Sequence, residues 1–212
     1  MTDSVLRWRG MWQQLGAARV DPTLHKELAS RYAEPHRKYH TLRHLEECFA
    51  HFDGARALAE HAPEVELGLW FHDAIYEVKR DDNEARSAAW ARRSALEAGV
   101  PADACERVHA LVMATRHQAL AQGGDAQLLV DVDLSILGAA PQRFDEYERQ
   151  IREEYTWVPA FLFRRKRAAI LEEFLARPSI FSTGHFRERF EEQARANLER
   201  SLRALKTKPA RA

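Results

Sequence analysis

Cysteine is nearly missing from this sequence: 212 residues contain two, Cys48 and Cys105, and neither has a close partner. That excludes a disulfide scaffold and a ribbon-type zinc module, and both thiols, set within helical patterns, read as reduced packing residues. Surplus charge is missing too, because 32 Lys and Arg balance 32 Asp and Glu. A global basic footprint for nucleic acid or an anionic membrane is therefore excluded. No apolar run approaches the roughly 20 residues needed to cross a bilayer, and the N-terminus lacks the apolar core of a signal peptide. The expectation is a protein of the cytoplasm, without membrane or nucleic-acid partners.

Sustained alternation of apolar and polar residues is also lacking, which argues against strands. What is present is Ala, Leu, Glu and Arg in helical periodicity from end to end. Helices are expected over 4–16, 22–30, 64–76, 83–98, 102–120, 127–137, 142–154, 159–176 and 185–205, with a further one carrying His44 and capped by Thr41. Gly99-Val100-Pro101, Gly123-Gly124-Asp125, Pro141, Pro178 and Thr183-Gly184 punctuate them. No repeat or linker divides the chain, so the expectation is one all-α domain over 1–212, with residues 206–212 frayed.

Three segments stand out against this background. His72-Asp73 lies inside the apolar stretch Leu67-Gly68-Leu69-Trp70-Phe71-His72-Asp73-Ala74-Ile75-Tyr76. An ionised carboxylate there is costly unless it is paired or meets a cation. Upstream, Tyr39-His40-Thr41-Leu42-Arg43-His44 spaces two histidines by four, which on a helix projects both rings from one face. Downstream, Leu128-Leu129-Val130-Asp131-Val132-Asp133-Leu134-Ser135-Ile136-Leu137 embeds two carboxylates in an apolar run. In a helical bundle, inward side chains of separate helices can converge on one centre, and this set of imidazoles and carboxylates suits a divalent metal.

The order His, His-Asp, distant Asp resembles the HD superfamily of metal-dependent phosphohydrolases. The Tyr-His-x-x-x-His and Asp-Leu-Ser forms are similar to those of cyclic-nucleotide phosphodiesterases, which share that core. Phe71-His72-Asp73-Ala74-Ile75-Tyr76, Asp82-Asn83-Glu84-x-x-Ser87-Ala88 and Asp131-x-Asp133-Leu-Ser-Ile-Leu-Gly138 extend the likeness to small, single-domain bacterial proteins of that superfamily, from about Tyr39 to about Leu198. The resemblance implies an HD-domain helical bundle. It also implies a hydrolase acting on a small phosphorylated substrate, with a nucleotide the leading class. A non-catalytic helical scaffold or sensor that keeps a structural metal is the alternative.

Carried over residue by residue, the resemblance makes His44, His72, Asp73 and Asp133 the metal ligands. Asp133 opens the Asp-Leu-Ser, and residues two apart on a helix do not face the same way, so Asp131 is either an acceptor for a ligand histidine or solvated. His40 matches a proton donor to the leaving oxygen, a role suited to a group whose pKa is about 6.5. Glu77 matches an acidic position that orients or deprotonates water in some relatives; otherwise it is a solvated helical residue. Glu84 belongs to the family motif, His117 is a candidate second-metal ligand or substrate contact, and Arg167 is a candidate phosphate clamp. The ligand set accepts Mn, Mg, Fe, Co, Ni or Zn alike, and nothing in the sequence specifies an oligomer.

Overall fold

The computed structural model describes residues 2–117 and 121–207, with the side chains of residues 2 and 3 left aside. Among them are ten α-helices and no strand, so the fold is all-α, as expected. They run α1 Thr2–Gln14, α2 Leu24–Tyr32, α3 Leu42–Ala55, α4 Ala62–Phe71, α5 Asn83–Glu97, α6 Ala102–Ala114, α7 Gly124–Asp133, α8 Pro141–Glu154, α9 Ala160–Ala176 and α10 Gly184–Lys206. Short 3-10 turns follow α3 at Arg56–Leu58 and α7 at Leu134–Gly138. None of these helices is long and apolar enough to cross a membrane. The helix expected over 102–120 ends at Ala114, where Thr115 donates to the Val112 carbonyl; residues 118–120 and most of the expected frayed tail lie outside the described residues.

The helices form two compact units, Met1–Asp133 and Leu134–Ala212. In the first, α4 is the hub, packed on α1, α3, α5, α6 and α7. Every residue from Glu64 to Phe71 is buried, the two glutamates included, as the central helix of a bundle requires. Gly68 permits the close approach of its neighbours, since a Cβ there would lie 2.6 Å from Leu129 Cδ1 and 3.4 Å from Leu111 Cβ. In the second unit, α10 packs on α9 and on the Leu134–Gly138 turn. Gly138 is obligatory there: a Cβ would lie 2.7 Å from the Phe190 carbonyl oxygen and 2.6 Å from its Cβ. Asn197, fully buried, donates to the carbonyls of Leu137 and Ala139 at 2.9 and 2.8 Å and so pins the same turn.

Three further local expectations need correction, each with a physical cause. The helix expected over 64–76 stops at Phe71, so His72 and Asp73 follow its last turn. The segment beyond is claimed by side chains: Ser87 Oγ accepts from Ile75 N at 3.0 Å, and Asn83 bonds both backbone groups of Glu77. The helix carrying Asp133 ends on that residue, and the chain tightens into 3-10 geometry. Thr41 stands at the N-cap of α3 without a side-chain capping bond; its hydroxyl donates to the Tyr39 carbonyl at 3.4 Å instead.

Candidate metal centre

Four side chains meet in the first unit. The Nε2 atoms of His44 and His72 lie 3.1 Å apart. Asp73 Oδ2 is 3.1 Å from His72 Nε2 and 3.6 Å from His44 Nε2. Asp133 Oδ1 is 3.3 Å from His44 Nε2 and 3.6 Å from His72 Nε2. A tetrahedron of donors around a metal, with bonds of about 2.1 Å, has edges of about 3.4 Å. These five spacings lie within about 0.3 Å of that edge. Both histidines are buried, while the carboxylates of Asp73 and Asp133 keep 18% and 15% exposure and form the accessible side.

The second nitrogen of His72 decides what the first one offers. Its Nδ1 donates to the Leu69 carbonyl at 2.8 Å, which leaves Nε2 of the neutral ring as a lone pair aimed at the cluster. That lone pair faces carboxylate oxygens and another imidazole nitrogen, so either a proton or a cation must sit among them. Burial opposes a charged His72, yet Asp73 and Asp133 prevail and raise its pKa well above the ordinary imidazole value. Burial likewise opposes ionised carboxylates. The His72 and His40 charges nevertheless hold Asp73 far below its usual range, and hydrogen bonds from His117, His44 and His72 do the same for Asp133.

Backbone placement adds to the preference for positive charge. His72 and Asp73 follow the C-terminus of α4, and Asp133 is the last residue of α7. A helix C-terminus carries roughly half a negative charge, so two of them favour a cation here.

Cys48 belongs to the group as well, although the sequence marks it only as a packing thiol. Donor atoms of His44, Cys48, His72 and Asp133 all lie within 4.8 Å of one another, and this buried set can hold a metal ion. The signal was available: His44 and Cys48 are four apart on α3. The same spacing rule does not describe His40 and His44, because His40 precedes α3 in a turn. Its ring stacks on Tyr76 at 4.1 Å between centroids, with the His44 ring 6.0 Å away.

The loop around His40 is held by a residue that sequence reading passed over. Arg37, 4% exposed, donates to the carbonyls of His40, Asp73 and Ala74 at 3.2, 2.7 and 3.2 Å. It thus joins the Tyr-His segment to the residues after His72. A buried guanidinium with several carbonyl partners has no sequence signature beyond its identity.

The remaining candidates fall in different places. His117 Nε2 lies 3.1 Å from Asp133 Oδ2, and the residue sits in the left-handed region at φ 54°, a strained conformation for a non-glycine residue. Asp131 is fully buried, which rules out its solvated alternative. Glu77 is exposed and pairs with Arg86, which lowers its pKa; it is not a member of the donor group. Glu84 is half-buried in the first turn of α5. Arg167 is buried in the second unit, where it pairs with Glu148 and donates to the Tyr147 hydroxyl at 2.9 Å. Its guanidinium is therefore committed to partners within its own unit. Asn83 and Ser87, the other motif residues, act on the loop backbone as described above.

A cavity of about 530 Å³, lined by His61, Arg107, Arg116 and Asp125 among others, includes none of the cluster residues. Compared with known proteins, the chain matches no family model, no curated protein and no solved structure.

Proposed function

We propose that this protein is a metal-dependent phosphohydrolase of the HD type, acting on a small phosphoester or phosphoanhydride, with nucleotides as the substrate class. The observation that carries the reading is the convergence of His44, His72, Asp73 and Asp133 at metal-ligand spacing, with the His72 lone pair fixed inward by Leu69. A divalent cation held there supplies Lewis-acid polarisation of a phosphoryl oxygen and a lowered pKa for water. The chain's own groups do the rest. Asp73 and Asp133, on the accessible side, balance the added charge. His40, half-buried and oriented by Tyr76, holds a proton for the leaving oxygen. Arg37 keeps His40 and Asp73 in one frame through their carbonyls.

A second reading has its own support: two of the donors are almost wholly buried, as in metal sites that only brace a fold. Phosphate release separates the two. Protein stripped with chelator and reloaded with Mn²⁺ should hydrolyse p-nitrophenyl phosphate or members of a nucleotide panel, and Asp73→Ala should lose both cation and turnover. Stoichiometric cation with no phosphate release from any substrate would establish the bracing role.

A further inference from the structure

The two sets of donors in this cluster share His44, His72 and Asp133 and differ in the fourth member, Asp73 in one and Cys48 in the other. Asp73 is the most exposed donor at 18%, whereas Cys48 is 1% exposed. Cys48 Sγ lies 3.7 Å from both ring nitrogens of His44. Around a four-coordinate zinc, bonds of about 2.3 Å to sulfur and 2.0–2.1 Å to nitrogen place those two atoms about 3.6 Å apart. The distance to Nε2 is near that value, and the equal distance to Nδ1 sets the sulfur beside the ring, so a turn of the Cys48 side chain about its Cα–Cβ bond is needed to bring it onto a cation held by Nε2. His44 and Cys48 also rise from one turn of α3, a rigid support that places both donors on a single face.

Resting on the metal-centre reading above, we infer that Cys48 is a ligand, and that the centre selects a thiophilic cation of the Zn²⁺, Fe²⁺ or Co²⁺ class over Mg²⁺ or Ca²⁺. Thiolate and imidazole suit the former, while Mg²⁺ and Ca²⁺ take oxygen donors and make no use of sulfur. In the cation-free protein the thiol is protonated, because burial, and then Asp133 and Asp73, push its pKa up. On binding, the sulfur–metal bond forms as the thiol proton leaves to solvent. Asp73 then remains the donor nearest to solvent.

Cobalt reports this directly. The full chain, stripped with chelator and titrated with Co²⁺, should develop a sulfur-to-cobalt charge-transfer band in the near ultraviolet that saturates at one equivalent. Cys105→Ala should keep the band. Cys48→Ala should lose it while retaining the visible cobalt bands, with Zn²⁺ affinity reduced at least about tenfold and Mn²⁺ affinity held within about twofold. Should Cys48→Ala fail to fold, the wild-type and Cys105→Ala spectra assign the thiolate on their own. Stoichiometric Co²⁺ binding without a sulfur band overturns the ligand role and leaves the metal centre standing. Failure of the folded wild-type chain to bind Co²⁺, Zn²⁺ or Mn²⁺ overturns both.

Discussion

The two ends of α4 bury carboxylates in opposite ways. Near its start, Glu64 and Glu66 are 5% and 3% exposed. Glu64 accepts two bonds from Arg107 at 2.7 and 2.8 Å, and Glu66 meets Arg56 and Arg7. Just past its end, Asp73 meets the rings of His72 and His44, and Asp133 meets those of His44, His72 and His117. A guanidinium is a permanent cation in proteins, so the first arrangement has no basic proton to trade for a metal. An imidazole holds a proton that it can give up, so the second can exchange a proton for a metal. One helix therefore carries a finished ion pair at one end and an exchangeable centre at the other.

The largest break in that contrast should come from His72→Ala. It removes the lone pair that Leu69 aims inward, and elemental analysis of protein purified without chelator should show the cation gone. Arg107→Ala, at the other end, should leave metal content at the wild-type level.

Next in size is a variant that spares the metal. His40→Ala should keep its cation and its circular dichroism spectrum, yet lose about 10²–10⁴ in kcat on substrates with poor leaving groups. The loss should shrink with p-nitrophenolate, whose departure needs no proton. Equal losses on both substrate types would remove His40 from the proton-donor role.

Arg107→Ala should instead act on stability. It leaves the Glu64 carboxylate buried without its two bonds, a cost of about 2 kcal/mol in urea unfolding. Because Arg107 is itself 41% exposed, solvent moderates the effect below that of a fully buried pair. The same loss should be measured with and without chelator.

The smallest effect is the sharpest on the comparison. In chelated protein, the raised pKa of His72 stabilises the fold below the unfolded imidazole value of about 6.5, and that contribution is lost as pH climbs through the folded value. The depressed Asp73 and Asp133 contribute above the unfolded carboxylate value and lose their contribution only in strong acid. Metal competes with the His72 proton, so the rise in Tm on adding metal should widen, by a few degrees, as pH goes up from about 6. A constant increment across that range would show that no proton leaves His72.

Much of this protein is legible in the order of its residues. Helical periodicity with little else made the all-α class legible; the carboxylates of Asp73 and Asp133 stood out in apolar runs where a bare charge is costly, and the likeness to the HD motif singled out His44, His72, Asp73 and Asp133 as candidate donors. Periodicity reports which face of a segment is apolar, and burial follows from it. It does not report where a helix yields to side chains from elsewhere. That is why α4 ends at Phe71, with Ser87 and Asn83 holding the loop beyond, and why His40 falls in a turn, not on α3. Partner choice was equally invisible: Arg167 and Glu77 look like free charges in the sequence until Glu148 and Arg86 claim them. Cys48 passed for packing because a thiol carries no formal charge to betray it, and Arg37 because carbonyl partners leave no motif. These choices are made in three dimensions, since pairing depends on which side chains come within about 3 Å, a distance that residue order alone does not encode.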